Sequence, residues 1–406
     1  MSGARPVAAV SRWEFIAMMG MMFATIAFSI DAMLPALPEI AQELTPSDPN
    51  RAQLILTSFL FGMGVGTLFA GPLSDALGRK AVIMIGAALY CGGALLAYVA
   101  QDLEWILAAR VLQGLGAAGP RVVSLAMARD LFSGRAMAQI VSYAMLVFTI
   151  FPAIAPLIGA WIILGFGWRA IFLAFLVFSL ISVIWLGLRQ PETLPRDKRR
   201  PLALITLWSG LRETLVHRQM QLSILVQSCV FAGLFGSLSS IQQIFDETFG
   251  RAASFPLWFG LIALASAPAG PINGLLVMRL GMRPLIRITL ILQAVLALVC
   301  ALLFASGALG GAAFGIYLFW NVTLFVTAAF TIGNLNALAL EPLGHIAGMA
   351  ASVMGAIATV IGALAGAAVG ALFNGTPVPL LCAMAVLMTI GAVIMLRMPR
   401  ERATQA

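Results

Sequence analysis

Three polar side chains lie inside apolar stretches of this sequence, where they could take part in binding and releasing a proton. Asp31 lies near the end of the first apolar stretch, and Arg110 and Gln113 lie near the start of the fourth. A charge inside a bilayer is costly, so an ionisable residue within a spanning helix is a candidate functional site. An isolated carboxyl favours its protonated form, whereas a neighbouring arginine favours the charged form. The residues predict a proton-exchange site at which Asp31 and Arg110 pair. The alternatives are a purely structural ion pair and an Asp31 that is hydrated at the outer membrane interface.

A second arginine points to the kind of ligand that such a site would accept. Arg121 follows Arg110 by eleven residues, which is three helical turns within about 20°, so both would face the same way. Two guanidinium groups would favour a neutral, zwitterionic or anionic ligand, unless Arg121 pairs with an acid or with the backbone. Other candidate ligand contacts are polar or aromatic residues in apolar stretches, namely Phe23, Tyr143, Phe148, Gln227, Phe231 and Asn321. Each could instead serve in packing or in an interhelical hydrogen bond.

A ten-residue polar stretch, GPLSDALGRK at 71–80, separates two apolar runs that are each long enough to cross a bilayer. Gly71 and Gly78 allow close approach and a sharp turn, Asp75 can pair with a base or cap a helix, and Arg79 and Lys80 suit a cytoplasmic lipid surface. An ordinary basic hairpin would also account for the stretch.

A weaker copy of this stretch, GLLVMRLGMR at 274–283, follows at an offset of about 203 residues, half the chain. Met278 replaces Asp75 and Met282 replaces Arg79 in the second copy. Because the charges persist only in the first copy, we expect the first copy to carry any gating role.

The apolar stretches that hold these residues identify a membrane protein. The 406 residues are 61% hydrophobic and only 10% charged, a composition that a soluble chain could not hydrate. A spanning helix needs about 20 apolar residues, which gives twelve candidates and predicts an all-α membrane protein. The repeat predicts two six-helix halves, at 1–189 and 220–406, joined by a basic linker at 190–219.

The basic residues predict the orientation and exclude several function classes. About nineteen lie on the side of the termini and three, Arg51, Arg169 and Arg251, on the other, so both termini are expected in the cytoplasm. The net charge of +8 is therefore explained by basic residues at the membrane surface, and it does not indicate that the protein binds nucleic acid. The two histidines lie in loops and the four cysteines lie apart in apolar runs, so no nucleophile or metal set favours an enzyme.

The stretch at 71–80 resembles the motif G-x-L-x-D-x-x-G-R-K between helices 2 and 3 of the major facilitator superfamily. R-x-x-Q-G at 110–114 is similar to the helix 4 motif of drug/proton antiporters, whose arginine is linked to proton coupling. AIAPLIGAWI at 153–162 resembles the antiporter motif of that branch, with Ala155 and Ala160 where glycines are usual. The resemblance implies two halves that rock around a central site.

Further matches extend the resemblance over nearly the whole chain. DAMLPALPEI at 31–40, ARDLF at 128–132, GWRAIF at 167–172 and GHIAGMAASVMG at 344–355 are similar to the Bcr/CflA branch of drug exporters. Related exporters can carry a second acid two turns deeper in helix 1, where this chain has Phe23, so coupling is expected to centre on Asp31 alone. The residues expected to act in conformational gating are Gly71, Asp75, Gly78, Arg79, Lys80, Arg129, Asp130, Pro152, Pro156 and Gly159.

The resemblance implies a secondary transporter that exports small amphipathic compounds, including antibiotics, in exchange for protons by alternating access. It implies a monomer in the bacterial inner membrane, driven by the proton gradient, with no cofactor and no metal. Its expected partners are the cargo, protons and the lipid bilayer. The alternative of the same fold is a substrate-specific metabolite facilitator or proton symporter. A membrane-embedded enzyme and a non-transporting sensor are the rivals from other classes.

Overall fold

The structure is a computed structural model that describes residues 10–199 and 204–398. Those residues form α-helices, with short helical turns between them and no strand. The helices are α1 (Arg12–Asp31), α2 (Leu37–Leu44), α3 (Leu54–Leu77), α4 (Arg79–Val99), α5 (Leu103–Leu131), α6 (Gly134–Phe166), α7 (Ala170–Arg189), α8 (Leu204–Val216), α9 (Arg218–Gln243), α10 (Phe255–Ser266), α11 (Ala269–Leu280), α12 (Met282–Ala305), α13 (Ala313–Leu340), α14 (Ala347–Gly370) and α15 (Val378–Leu396).

Twelve membrane spans follow from these helices. Ten helical stretches of the described residues are long and apolar enough to cross a membrane, and one of them, Gly310–Gly370, contains both α13 and α14. The twelfth span is α5, which is 29 residues long but more polar, with five charged residues. Helices α10 and α11 together form a single broken span. The predicted all-α fold with twelve spanning helices is confirmed.

The contacts of the chain divide it into two compact units. The first unit comprises the described residues up to Leu204 together with Ile241–Asp246 and Gly250–Leu264. The second comprises Ile205–Ser240, Glu247–Phe249 and the described residues from Ala265 onward. The sequence-based division into 1–189, a linker at 190–219 and 220–406 stays a prediction.

Helix α5 packs against its neighbours in the first unit through glycine backbone. A Cβ atom on Gly114 would overlap the Phe59 carbonyl of α3, and one on Gly116 would overlap the Gly86 carbonyl of α4. Small residues allow helices in a membrane to approach this closely, where dispersion contacts are strongest. The resulting contact fixes the part of α5 that carries Arg110 and Gln113.

The second unit has a comparable close contact between α9 and α14. A Cβ atom on Gly362 of α14 would overlap Phe231 of α9. The Phe231 ring in turn stacks on Phe235, with ring centroids 5.2 Å apart. The position of Phe231 is therefore set by packing on both sides.

The polar stretch at 71–80 is not a loop, which corrects the expectation of an interruption ten residues long. Helix α3 continues to Leu77 and α4 begins at Arg79, so Gly78 alone lies outside a helix. Gly78 has φ +105°, a conformation open to glycine and strained for other residues. Gly71 lies within α3 and therefore makes no turn.

Candidate functional site

Arg110 is buried in the first unit and ties three helices together. Its Nη1 donates to Oε1 of Gln113 at 3.0 Å, its Nη2 to the Ser29 carbonyl at 2.8 Å, and its Nε to the Ile55 carbonyl at 3.3 Å. The Ser29 carbonyl lies in the last turn of α1, where carbonyl groups lack helical partners and carry the negative end of the helix dipole. A guanidinium group is stabilised there without an acidic partner.

Two aromatic rings complete the surroundings of Arg110. Its guanidinium carbon lies 4.4 Å from the ring centroid of Phe59 and 5.7 Å from that of Phe175. Phe175 is held edge-on against Phe28, at 5.3 Å. Cation–π contacts in a desolvated site contribute on the order of 1–2 kcal/mol. The arginine is therefore fixed by carbonyls and rings together.

Asp31 is the last residue of α1 and is only 5% exposed. Within residues 10–199 and 204–398 its carboxylate forms no ion pair. The direct pair with Arg110 suggested by the sequence is therefore wrong for this structure. The physical reason is that the arginine reaches the backbone of Ser29, two residues before Asp31, and is satisfied there.

The residues around Asp31 leave it little freedom. A Cβ atom on Gly159 of α6 would overlap the carbonyl of Ala32, the next residue after Asp31. The Ser29 hydroxyl donates to the Thr25 carbonyl at 2.6 Å and is hydrogen-bonded to the Tyr90 hydroxyl of α4. Backbone contact and hydroxyl groups thus both hold the end of α1.

Two members of this network, Ser29 and Tyr90, were not predicted. Hydroxyl groups are common in apolar helices and usually bond to their own backbone, so neither residue stands out in the sequence. Gln113 was predicted, and its Nε2 is buried with no hydrogen-bond partner among the described residues. The site combines an acid, a fixed arginine and an unused amide donor.

The two arginines of α5 differ in their surroundings. Arg110 is fully buried, whereas Arg121 is exposed and makes no hydrogen bond or ion pair with another described residue. The alternative suggested by the sequence, in which Arg121 pairs with an acid or with the backbone, therefore has no support in the described part of the chain. Arg121 remains available to a ligand.

The predicted ligand contacts of the first unit lie in different environments. Phe23 is 1% exposed and belongs to the hydrophobic core of the unit. Tyr143 is 38% exposed, and its ring lies 5.3 Å from that of Trp13. The side chain of Phe148 lies outside the described residues. Core packing accounts for Phe23, and ligand contact stays a prediction for all three.

Two predicted contacts of the second unit, Asn321 and Gln227, are buried, whereas the third, Phe231, is half-buried. Asn321 accepts from the Ser237 hydroxyl at 3.2 Å and donates to the Tyr317 carbonyl at 2.9 Å. Gln227 is 2% exposed, and its Oε1 has no hydrogen-bond partner among the described residues. Asn321 thus fits the interhelical alternative, whereas Gln227 keeps an unused acceptor.

A second polar cluster surrounds Gly78. Arg79 bonds through Nη1 to Asp75 at 2.5 Å and through Nε to Asp130 at 3.0 Å. Glu192, beyond the end of α7, accepts from the backbone N–H groups of Arg79 and Lys80 at 3.0 and 3.1 Å. A carboxylate at the first turn of a helix satisfies orphan donors and complements the dipole. We call Asp75, Gly78, Arg79, Asp130 and Glu192 the Gly78 cluster.

Glu192 was not predicted as a functional residue. Its carboxylate caps the first turn of α4, which was one of the roles suggested for Asp75. Among the described residues, Asp75 instead forms the expected ion pair, with Arg79. The sequence offered one signal for Glu192, which is the first acid of a linker in which basic residues outnumber acidic ones.

Other predicted gating residues lie near the Gly78 cluster or on α6. Lys80 donates through Nζ to the Gly187 carbonyl at 2.5 Å, and Arg129 is exposed. Helix α6 runs without a break through Pro152 and Pro156. Gating by these residues stays a prediction.

Twelve spanning helices with a buried acid and a fixed arginine define a polytopic membrane protein of the transporter type. The family model of the Major Facilitator Superfamily matches residues 17–370, and the chain belongs to that superfamily. This family and this fold are those of transporters, which implies a small-molecule substrate and a multi-pass position in the membrane.

Curated relatives match over nearly the whole chain. An uncharacterized MFS-type transporter, YdgK of Bacillus subtilis, is 29% identical over 96% of both chains. A bicyclomycin resistance protein homolog of Haemophilus influenzae is 31% identical over 92% of this chain and 93% of its own. The multidrug resistance protein MdtL of Salmonella paratyphi C is 33% identical over 47% of each chain. The resemblance to the Bcr/CflA branch is confirmed.

Solved structures show the same fold at low identity. The xylose transporter XylE of E. coli, in a partially occluded inward-open conformation, has a TM-score of 0.76 at 12% identity and covers 97% of this chain and 99% of its own. The human organic anion transporter MFSD10 has a TM-score of 0.68 at 17% identity, over 95% of this chain and 100% of its own.

Proposed function

We propose that this protein exports small amphipathic compounds, including antibiotics, in exchange for protons. Two relatives support the cargo class by their names, a bicyclomycin resistance protein homolog and a multidrug resistance protein. Membership of the Major Facilitator Superfamily, whose transporters work by alternating access, supports that mechanism for this chain.

The observation that carries the proposal is the buried Asp31 without an ion pair among the described residues. A carboxylate buried without a counter-charge is costly, and binding a proton removes that cost. Arg110 is satisfied by carbonyls and aromatic rings, so it does not neutralise Asp31 in place of a proton. Proton binding and release at Asp31 would therefore bias the conformations of the transporter.

Arg121 supports a restriction on the cargo. It is an exposed cation within a spanning helix and has no partner among the described residues. A cationic compound would be repelled, whereas a neutral, zwitterionic or anionic one would be accepted. Exchange against protons needs no cofactor, and we propose a monomer in the bacterial inner membrane with both termini in the cytoplasm.

The test uses purified protein in proteoliposomes that are acidic inside and contain a pH dye. Neutral and zwitterionic antibiotics are added to the wild type, to Asp31→Asn and to Asp48→Asn, a matched control in an exposed loop. We expect compounds to drain protons through the wild type and the control but not through Asp31→Asn.

The other outcomes contradict defined parts of the proposal. Equal proton flux through Asp31→Asn and the wild type would place coupling elsewhere. A wild type that responds to none of the antibiotics, but to a single metabolite, would replace drug export with the facilitator or symporter alternative.

A further inference from the structure

We propose that the first unit carries a phospholipid site, in which an acyl chain lies in a groove between α4, α6 and α7 and its phosphate binds Arg169. This site goes beyond the proposed function, because it requires a bilayer but neither a cargo nor a proton gradient. The groove has a volume of about 890 Å³, within the range of ~300–1,000 Å³ typical of small-molecule sites.

The wall of the groove is mostly apolar. Its lining residues are Tyr98, Val99, Gln101, Ile162, Phe166, Arg169, Ala170, Leu173, Ala174 and Val177. Four of them come from α7 at the spacing i, i+3, i+4 and i+7, which places them on one helix face. Two of these four are alanines, Ala170 and Ala174, whose small side chains leave the space that makes the face concave.

The groove faces the place where lipid chains would lie. Val177 is 51% exposed, and an apolar side chain this open in the interior of a spanning helix contacts hydrocarbon in a bilayer. Phe166 and Val99, which are 82% and 61% exposed, end α6 and α4 at the same end of the groove as Arg169. The distance from Arg169 to Val177 along α7 is about 12 Å at 1.5 Å per residue, most of the ~15 Å depth of one hydrocarbon leaflet. The groove therefore has the direction and length of an acyl chain.

Arg169 lies at the end of the groove where a headgroup would be, immediately before the first turn of α7. It is the one charged residue among those that line the groove. Its Nη1 bonds to Glu43 at 2.7 Å, and its guanidinium stacks on Trp168 at 4.2 Å. Its Nε is buried without a hydrogen-bond partner among the described residues.

A phosphate suits this arginine better than the other groups of a lipid do. Glu43 and Trp168 fix the plane of the guanidinium, while the free Nε–H remains as a donor. Arginine binds phosphate oxygens with strong charge-assisted hydrogen bonds. Tyr98 at the same end is a residue type that concentrates at the membrane surface.

The test is native mass spectrometry of the detergent-solubilised protein with added phosphatidylglycerol, or with a diacylglycerol that has the same acyl chains and no phosphate. The variants are Arg169→Ala, which removes the phosphate contact, and Ala174→Phe, which fills the groove. Matched controls are Arg51→Ala, an arginine paired with Glu104 away from the groove, and Ala88→Phe on an exposed position of α4.

We expect one bound phosphatidylglycerol in the wild type and in both controls. Loss of a charge-assisted hydrogen bond should weaken binding about tenfold in Arg169→Ala, and Ala174→Phe should abolish it. Diacylglycerol should not be retained. The proposal fails if diacylglycerol binds as well as phosphatidylglycerol, or if Arg169→Ala and Ala174→Phe bind like their controls. The assay contains no cargo and no gradient, so its result is independent of the export proposal.

Discussion

The two copies of the internal repeat fold into the same backbone turn with different surroundings. Gly78 joins α3 to α4 and Gly281 joins α11 to α12, with φ of +105° and +79°. In each copy the glycine N–H donates to the carbonyl four residues earlier, at 3.2 Å for Gly78 and 2.8 Å for Gly281. The turn thus depends on the glycine and survives the loss of the charged residues.

The surroundings of the two turns show what the charges add. The first turn is enclosed by the Gly78 cluster, so that a Cβ atom on Gly78 would lie 2.6 Å from Oε2 of Glu192. Around the second turn Met278 is 86% exposed, and a Cβ atom on Gly281 would meet nothing closer than 3.9 Å. The charged residues of the first copy therefore anchor a turn that forms without them.

Among the variants that test this comparison, the one that replaces Arg79 with the methionine of the second copy should lose the most stability. Arg79→Met removes the partner of Asp75 and Asp130, which are both partly exposed. Two charge-assisted hydrogen bonds, each at the low end of ~1.5–3 kcal/mol, make the expected loss about 3 kcal/mol. We expect a clear drop in the melting temperature of the purified protein. Arg279→Met, an exposed arginine of the second copy, should change stability by less than about 0.5 kcal/mol. Equal losses in the two variants would contradict the anchoring role.

An alanine in each turn separates the conformation of the backbone from its surroundings. Gly78→Ala and Gly281→Ala should both lose about 1–2 kcal/mol, because their φ values strain any residue with a Cβ atom. Gly78→Ala should lose about 1 kcal/mol more, because its new methyl group displaces the carboxylate that caps α4. The melting temperatures of the two variants measure this difference, and an equal decrease would show that Glu192 moves aside freely.

Removing the charge of Glu192 should have the smallest effect of the three. Glu192→Gln keeps the shape of the side chain but weakens its hydrogen bonds to the first turn of α4, at a cost of about 1 kcal/mol. The measurement is the thermal unfolding of Glu192→Gln. The control is Asp197→Asn, a change in an exposed acid of the same segment. A variant that unfolds like the control would mean that water replaces the cap.

The hydropathy pattern and the internal repeat predicted most of the fold. Hydropathy predicted the twelve spans because a bilayer admits few alternatives to apolar helices, and the repeat aligned Gly281 with Gly78 in the sequence. Gly114 and Gly116 lie in the same apolar stretch as Arg110, and these two small residues pack α5 closely against its neighbours.

Partners distant in sequence were harder to predict. Arg110 was expected to pair with Asp31, yet it binds the Ser29 carbonyl, and every residue presents a carbonyl whatever its type. Glu192 was missed for a related reason: it lies 113 residues from the Arg79 N–H that it caps. Single-sequence patterns indicate which residues are unusual, but they do not show which backbone groups lie beside them.

The cap by Glu192 has a consequence for dividing this protein into two separately expressed fragments. A cut at the predicted boundary, after Arg189, would leave Glu192 on the second fragment and remove both acceptors of the Arg79 and Lys80 amides from the first. A cut placed after Arg199 keeps the carboxylate with the helix that it caps. Two fragments cut after Arg199 should therefore restore activity when they are expressed together, and two fragments cut ten residues earlier should do so less well, although neither cut lies in a membrane-spanning helix.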